Sequence, residues 1–267
     1  MKFLTGLVVM AMLAVPAHAL TLGVTEGVTY RATDPEIEAR FEPLAKALSA
    51  ATRQPVQIKV ISPYGRLREA LQSGQLDLAF IHPAHIAFEA IKNQGYKALA
   101  WTQGYTDYKV SFLCKEPQAI QNWATVAGKS LVTPDPDSIT AVMTRALLAE
   151  HRLKPTDVKL QTTRYQDAVP FYVEHGFALY GATAANSVIK TWQAQGGKLC
   201  ATSRPLPIKQ WVVAPKVDAS TAQTLREALL NLEQNEPGRK ALAASGYKGF
   251  AAPSPELEKQ LILWLGL

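Results

Sequence analysis

Residues 80–90 put a short apolar strand directly before an amphipathic helix, with Pro83 between them. Proline suits the first turn of a helix because its ring fixes φ and its missing N–H would have no partner there. The pattern therefore predicts a strand that is followed directly by a helix beginning at Pro83. Backbone N–H groups at such a helix start point beyond the strand's carboxyl end, where α/β proteins bind anions and polar solutes. His82 and His85 lie at this edge.

The rest of the chain repeats the alternation of strand and helix. Further strands are predicted at residues 20–24, 56–61, 97–101, 109–115, 130–132, 159–162, 177–181 and 208–213. Further helices are predicted at residues 34–51, 67–74, 139–151, 165–174, 184–195 and 221–234, with short helices over 238–267. Repeated βα units imply parallel pairing with right-handed crossovers. The order predicts an α/β protein of two lobes, each a mainly parallel sheet flanked by helices.

Residues 1–19 have the three parts of a secretory signal. Lys2 provides a basic start, residues 3–15 are almost wholly apolar, and residues 17–19 have the small-x-small form that signal peptidase reads. A buried N-terminal strand is the alternative, while lipidation is excluded because no cysteine follows the cleavage site. No later apolar run is long enough to cross a bilayer. We expect an exported, soluble chain that begins at Leu20.

Composition excludes several classes of function. The chain is 48% hydrophobic and 19% charged, which suits a globular protein with a normal core rather than a disordered one. Its formal charge is +6, but the lysines and arginines are dispersed among acids. A basic stripe with interleaved aromatics is missing from the sequence, so we expect no nucleic-acid partner. A mild positive field favours an anionic solute or an anionic membrane surface.

Motifs for catalysis are missing as well. Residues 127–130 echo a phosphate-binding loop, but Trp123 holds the position of the required earlier glycine, and a strand follows. The sequence contains no GxSxG or HExxH motif and no paired catalytic carboxylates. We therefore expect neither an enzyme nor a cofactor.

Cys114 and Cys200 are the only two cysteines. In an oxidising compartment, the simplest interpretation of such a pair is one disulfide. Neither belongs to a CxxC motif, which disfavours redox catalysis and structural zinc. Two buried, unpaired thiols are the alternative.

Four segments carry a resemblance to a known family. They are the end of the first strand at residues 23–27, the run 69–79, the turn 135–138 and the tail 225–250. Together they resemble the phosphate/phosphite/phosphonate-type periplasmic solute-binding proteins of ABC importers. The resemblance implies a first lobe of residues 20–105 plus 206–267, a second lobe of residues 106–205, and two hinge crossings. It also implies that the lobes close on a ligand.

The chain departs from that family where a phosphonate would bind. Members that hold a phosphonate usually carry a Gly-Pro pair and a hydroxyl residue after strand three, and a Ser/Thr/Gly-rich turn in the second lobe. Here residues 81–85 read Ile-His-Pro-Ala-His, and residues 137–140 read Asp-Ser-Ile-Thr. Asp137 would repel a dianion unless it only caps its helix. The ligand's identity therefore stays open.

The two histidines admit three interpretations. His82 and His85 donate to an oxyanion, carboxylate or polar solute in the first. In the second they ligate a transition metal with a third group such as Asp137, Glu26 or a tyrosine. In the third, His82 lines the cleft while His85 bonds only to helix backbone.

Other candidates follow strand ends or open helices. Tyr64 and Tyr108 occupy positions from which the family reaches its ligand, with surface packing as the alternative. Ser138 and Thr140 serve as helix caps, ligand contacts or both. Predicted ligand-binding residues are Thr25, Glu26, Tyr64, His82, His85, Tyr108, Asp137, Ser138, Thr140 and Thr183, with Tyr30 and Arg31 as weaker candidates.

The sequence thus predicts a monomeric periplasmic protein that captures a small anionic or polar solute for an ABC permease. Two alternatives remain at this point. One is the same fold acting as a ligand sensor for a membrane signalling partner, and the other is a periplasmic metal-binding protein built on His82 and His85.

Overall fold

A computed structural model describes residues 19–26, 32–115 and 120–267. The predicted signal sequence, residues 1–19, lies outside these ranges except for its last residue, and Tyr30 and Arg31 also lie outside them. Within the described ranges, no helix combines the length and the apolar character needed to cross a membrane.

Strands and helices alternate through most of the chain. The strands are β1 Leu20–Thr25, β2 Val56–Val60, β3 Leu78–Ile81, β4 Lys97–Thr102, β5 Ser111–Cys114, β6 Ser130–Thr133, β7 Lys159–Thr162, β8 Tyr180–Thr183, β9 Lys198–Thr202, β10 Gln210–Val213 and β11 Phe250–Ala251. The α-helices are α1 Asp34–Thr52, α2 Tyr64–Gln72, α3 Ala84–Gln94, α4 Ile139–Glu150, α5 Val169–Glu174, α6 Asn186–Ala194, α7 Ala219–Leu230, α8 Glu236–Ser245 and α9 Pro255–Trp264.

The strands form two separate sheets. Among the described residues, the first sheet has the order β11-β4-β10-β3-β1-β2 and the second has the order β7-β6-β8-β5-β9. The chain passes to the second sheet between β4 and β5 and returns between β9 and β10. Tyr108 and Leu206 pair antiparallel where the two crossings run side by side. The α/β fold with helix-flanked sheets is therefore confirmed.

Both sheets are mixed and not mainly parallel as predicted, and much of the reason lies in the crossings. Strand β1 is parallel to β2 and β3, and β6 is parallel to β7 and β8, as the repeated βα units predict. By contrast, β10 is antiparallel to β3 and β4, and β5 is antiparallel to β8 and β9. Each of these two strands enters its sheet directly from a crossing, without a helical crossover to reverse its direction.

Aromatic side chains fill the core on one face of the first sheet. Phe80 of β3 packs against Phe41 of α1 and Trp211 of β10, with ring centroids 4.9 and 5.2 Å away, and Phe41 and Trp211 are also in contact at 6.3 Å. All three side chains are fully buried. Burial of rings this large accounts for much of the hydrophobic stabilisation of this lobe.

The C-terminal helix α9 packs against both parts of the molecule. Leu261 lies in one apolar cluster with Phe88 of α3 and Leu147 of α4. The indole N–H of Trp264 donates to Glu150 at the end of α4 over 2.8 Å. Helix α9 thus covers the second sheet's helix α4 as well as α3, although the resemblance assigned it to the first lobe alone.

Cys114 of β5 and Cys200 of β9 form a disulfide with a Cα–Cα distance of 6.1 Å. This separation lies within the normal range for the bond. The prediction of a single disulfide is confirmed. Strand β9, which carries Cys200, was not predicted from the sequence.

Helix α3 begins one residue later than predicted. Pro83 has an extended backbone with ψ of 158° and occupies the N-cap position, so Ala84 is the first helical residue. The prediction that Pro83 is the first helical residue was wrong. The carbonyl of Pro83 still accepts a bond from the N–H of Ile86.

Candidate functional site

Strand ends of the first sheet meet at one edge and bring polar residues together. Thr25 at the end of β1 lies beside Ile81 at the end of β3, and Ile81 also pairs with Gln210 at the start of β10. The N–H of His82 donates to the carbonyl of Thr25 over 3.0 Å. Because β1 and β3 are parallel, Glu26 and His82 leave the sheet side by side.

Glu26 is the centre of a buried ionic cluster. Its carboxylate accepts bonds from the Lys209 ammonium at 2.7 Å, from the Arg40 guanidinium and from the Tyr247 hydroxyl. The Lys209 Nζ also lies 4.6 Å from the centre of the Tyr105 ring. Glu26 is only 2% exposed, so its negative charge is compensated by these groups rather than by water.

His82 is held in one tautomer by the backbone of Glu26. The His82 Nδ1 lies 2.6 Å from the Glu26 carbonyl oxygen, and a carbonyl only accepts, so Nδ1 carries the proton. Burial lowers the pKa of His82 to about 3, and the nearby Lys209 charge adds to the effect. The imidazole is therefore neutral at ordinary pH, and Nε2 is its hydrogen-bond acceptor.

The side chain of His85 is more deeply buried than that of His82. The side chain, on the first turn of α3, is 1% exposed. Within the described ranges, neither ring nitrogen of His85 has a hydrogen-bond partner, and the same holds for the buried hydroxyl of Thr25. Tyr64 at the start of α2 meets the His85 ring edge to face, at 6.3 Å between centroids. A polar side chain buried in this way is costly unless something satisfies it.

Asp137 approaches His85 from the other side of the cleft. Its Oδ1 lies 3.7 Å from the His85 Nε2, which is ion-pair distance rather than a hydrogen bond. Both Asp137 oxygens also accept bonds from Arg68, at 2.7 and 2.8 Å. His85 and Arg68 hold the pKa of this carboxyl well below its usual range. The bonds to Asp137 and Glu89 raise the pKa of the Arg68 guanidinium.

Arg68 was missed by the sequence reasoning. It lies on α2 among residues of ordinary helical composition, and Asp137 is 69 positions away. The sequence pattern contained no signal for this pairing. Only the packing of the two lobes brings these groups together.

The start of α4 forms the second-lobe wall beside Asp137. The Ser138 hydroxyl accepts from the N–H of Ala141 at 3.2 Å, which makes Ser138 the N-cap. The hydroxyls of Thr140 and Tyr108 lie 3.1 Å apart. Thr140 is fully buried, so these two predicted residues meet inside the protein, where a crossing touches the helix.

Thr183 lies at the end of β8 and bonds to a residue that was not predicted. Its hydroxyl is 3.0 Å from the Gln166 Oε1, which also accepts from the N–H of Ala184 at 2.6 Å. Gln166 therefore satisfies donors just before α6 begins. Gln166 lies in a short 3₁₀ turn. The sequence had predicted that this residue belongs to an α-helix over residues 165–174.

The structure thus gathers the predicted residues into three groups. Thr25, His82 and Glu26 share the first-sheet edge. Tyr64 packs on His85, which lies near Asp137. Tyr108 meets Thr140 near Ser138, while Thr183 lies separately beside Gln166. Across the part of the chain that the structure describes, no three His, Cys, Asp or Glu side chains are grouped to hold a metal ion. A metal at His82 and His85 has no third ligand of these types there.

Two helix-flanked mixed sheets joined by paired crossings, with buried polar groups between them, define the class of two-lobed substrate-binding proteins. Residues 27–257 match the family described as ABC transporter, phosphonate, periplasmic substrate-binding protein, and the chain belongs to this family. The prediction made from the four sequence segments is confirmed. No curated protein sequence is significantly similar to the chain.

Solved structures share the fold at low sequence identity. The Xanthomonas citri protein XAC2383 bound to ATP is 15% identical, with a TM-score of 0.74 over 93% of this chain and 97% of that one. PhnD1 from Prochlorococcus marinus in complex with methylphosphonate is 15% identical, with a TM-score of 0.65 over 92% and 96%. The periplasmic aliphatic sulphonate binding protein SsuA from Escherichia coli is 16% identical, with a TM-score of 0.56 over 92% and 85%.

Proposed function

We propose that this protein captures a small anionic or polar solute, such as a phosphonate-like oxyanion, between its lobes and delivers it to an ABC permease of the inner membrane. Its family consists of periplasmic substrate-binding proteins of ABC transporters. Two proteins of similar fold are described with methylphosphonate and as a binder of aliphatic sulphonates. Transport of this kind needs binding and release but no covalent chemistry.

One observation carries the proposal, namely the state of His85. Its two ring nitrogens are buried and have no hydrogen-bond partner within the described ranges, and the nearest charged group, the Asp137 carboxylate, lies 3.7 Å from Nε2, beyond hydrogen-bond distance. Leaving a buried polar group unsatisfied costs about 1–3 kcal/mol. A solute that forms a hydrogen bond with the imidazole removes this cost. Such a solute would lie between the N-termini of α3 and α4, where backbone N–H groups favour anions.

The other residues are proposed to act around His85. Thr25, Tyr64 and His82 contact the solute from the first lobe. Glu26 acts through its backbone carbonyl, which fixes the tautomer of His82. The second lobe contributes Tyr108, Asp137, Ser138, Thr140 and Thr183.

The lobes and the cellular route complete the proposal. Residues 20–105 plus 206–267 and residues 106–205 move as two lobes about the crossings, where Tyr108 pairs with Leu206. Residues 1–19 direct export as a cleaved signal peptide, and the mature protein acts as a monomer. Closure around the solute creates the form that the permease recognises.

A thermal-shift screen tests this function. The panel contains methylphosphonate, phosphite, inorganic phosphate, an alkanesulphonate, simple carboxylates and zinc ion. A ligand at 100 times its Kd stabilises the folded state by about 2.7 kcal/mol. We expect an oxyanion to raise the melting temperature in the wild type and H85A to lose most of that rise.

The variant H175A is the matched control, because His175 is an exposed histidine at the end of α5 whose Nδ1 bonds only to local backbone. It should keep the full shift. An unchanged shift in H85A would remove His85 from the site. Stabilisation by zinc alone would favour the metal-binding alternative.

A further inference from the structure

Arg68 binds two carboxylates that belong to different lobes. Its Nε donates to Glu89 at 2.7 Å and its Nη2 reaches the same carboxylate at 3.3 Å, all within the first lobe. The Nη1 and Nη2 atoms donate to Asp137 of the second lobe at 2.7 and 2.8 Å. Two edges of one planar guanidinium are therefore occupied by separate acids.

Glu89 prepares Arg68 for the second contact. Glu89 lies on α3 and Arg68 on α2, and both helices pack on the same face of the first sheet. An arginine already held by one carboxylate loses less rotational freedom when it binds another. Glu89 thus holds one edge of the guanidinium while the other edge meets Asp137.

The contact with Asp137 exists only when the lobes are together. Asp137 precedes the N-cap of α4 and is anchored in its own turn, where its N–H donates to the Asp135 side chain at 2.8 Å. Separation of the lobes must break both bonds to Arg68 and withdraw the carboxylate from His85. Bidentate Arg–carboxylate pairs of this kind add geometric specificity as well as energy.

We propose that Arg68 is a positioning residue for closure: it receives Asp137 when the lobes meet and so determines how much of the protein is closed and how long a bound solute is retained. This inference rests on the proposed function, because retention requires a solute in the cleft. Closure itself can be measured without one.

The competing explanation is that Arg68 only stabilises the first lobe through Glu89. Two variants separate the explanations. D137N removes the charge between the lobes and leaves the Arg68–Glu89 pair intact, whereas R68Q removes both pairs. Glu69 is an exposed acid beside Arg68 on α2, so E69Q is a control with the same change of charge.

Small-angle X-ray scattering of the solute-free protein is the first measurement. We expect D137N and R68Q to have a larger radius of gyration than the wild type and E69Q. Circular dichroism and the melting temperature establish that each variant is folded. If R68Q does not fold, D137N carries the test, because Asp137 is half exposed and at a turn. Equal radii for folded D137N and wild type would overturn the proposal.

Solute kinetics give the second measurement, with the best oxyanion from the thermal-shift screen. We expect R68Q to release it about three to ten times faster, with little change in the association rate, because a partly exposed ion pair contributes modestly and acts after encounter. Arg68 is not a proposed solute contact, so this effect is separate from loss of solute binding, and E69Q should release the solute at the wild-type rate. An unchanged release rate would overturn the proposed role in retention. If no solute in the screen binds, that result counts against the proposed function. The scattering measurement, which needs no solute, would still test closure.

Discussion

Lys209 donates to Glu26 over 2.7 Å, although the two residues are 183 positions apart in the chain. Glu26 follows the first strand, and Lys209 lies in the crossing that returns the chain to the first sheet. Both are buried, and Arg40 and Tyr247 complete the cluster around the carboxylate. The pair therefore joins the end of β1 to one of the two crossings between the sheets.

Loss of the Glu26 charge should destabilise the fold strongly. E26Q leaves Lys209 buried without its anion, and removal of one partner from a buried pair costs about 3–5 kcal/mol. We expect the double variant E26Q/K209M to recover part of this loss. Urea unfolding of the four proteins in the cycle measures it.

The exposed pair Glu42–Lys46 on α1 is the control, since both side chains are more than half exposed. E42Q should change stability by less than about 1 kcal/mol. An equally small loss in E26Q would mean that Glu26 is not the centre of a charge cluster in solution.

Acidification should weaken the fold through His82. Its pKa falls from 6.5 in the unfolded chain to about 3 in the folded protein, so the unfolded state binds the proton more tightly. The contribution of His82 is fully present above pH 6.5 and is lost as the pH falls toward 3, by up to about 1.4 kcal/mol per pH unit. Urea unfolding from pH 7 to pH 4 in wild type and H82Q measures the difference in slope. Titration of His82 near pH 6.5 in an NMR experiment would contradict this prediction.

Removal of the disulfide should destabilise the second lobe. Cys114 and Cys200 close a loop with a sequence separation of 86 residues. The chain-entropy model assigns such a loop about 4–5 kcal/mol. We expect C114A/C200A to unfold at markedly lower urea concentration than the oxidised wild type. Wild-type protein in reductant should match the variant, and coincident curves for oxidised and reduced protein would contradict the prediction.

Two glycines should respond in opposite directions to alanine. A Cβ at Gly181 in β8 would lie 2.6 Å from a methyl of Val169 and 2.8 Å from a methyl of Val173. We expect G181A to lower the free energy of unfolding by about 1–3 kcal/mol through overpacking.

A Cβ at Gly65 in α2 meets no atom within 4 Å. G65A should raise the free energy of unfolding by about 0.4–1 kcal/mol because it restricts the unfolded chain. Thermal unfolding measures both, and a destabilised G65A would show that α2 does not have this geometry in solution.

Much of the fold was predictable because its signals are local. Alternating apolar residues indicated β2, and the Asp34-Pro35-Glu36 start indicated α1. The expectation that Asp34 is the cap was wrong by one residue, because Thr33 is the N-cap and pairs with Glu36 in a capping box. Strand β9 was not predicted because residues 198–202 mix lysine, cysteine and threonine without a clear hydrophobic period. These residues form a strand because they pair with β5. The helix predicted over 165–174 begins as a 3₁₀ turn, because the Gln166 side chain bonds to donors before α6.

The candidate site was predictable as a place more than as a set of contacts. His82 and His85 could be assigned to a strand–helix junction from sequence, since parallel strands bring their carboxyl ends to one edge. Their chemical states could not be assigned. Burial and Lys209 keep His82 neutral, whereas His85 meets a carboxylate from the other lobe.

The sequence by itself determined the α/β class, the two series of βα units, the family and the pairing of the only two cysteines. These follow from hydrophobic period, turn residues and residue counts, which act locally or leave a single choice. The tertiary structure alone decided that Glu26 binds Lys209, that Arg68 joins Glu89 to Asp137, and that β5 and β10 run against their neighbours. Residue type does not specify a distant partner, because such a contact depends on how remote segments of the chain fold against each other, within one lobe for Glu26 and Lys209 and between lobes for Arg68 and Asp137.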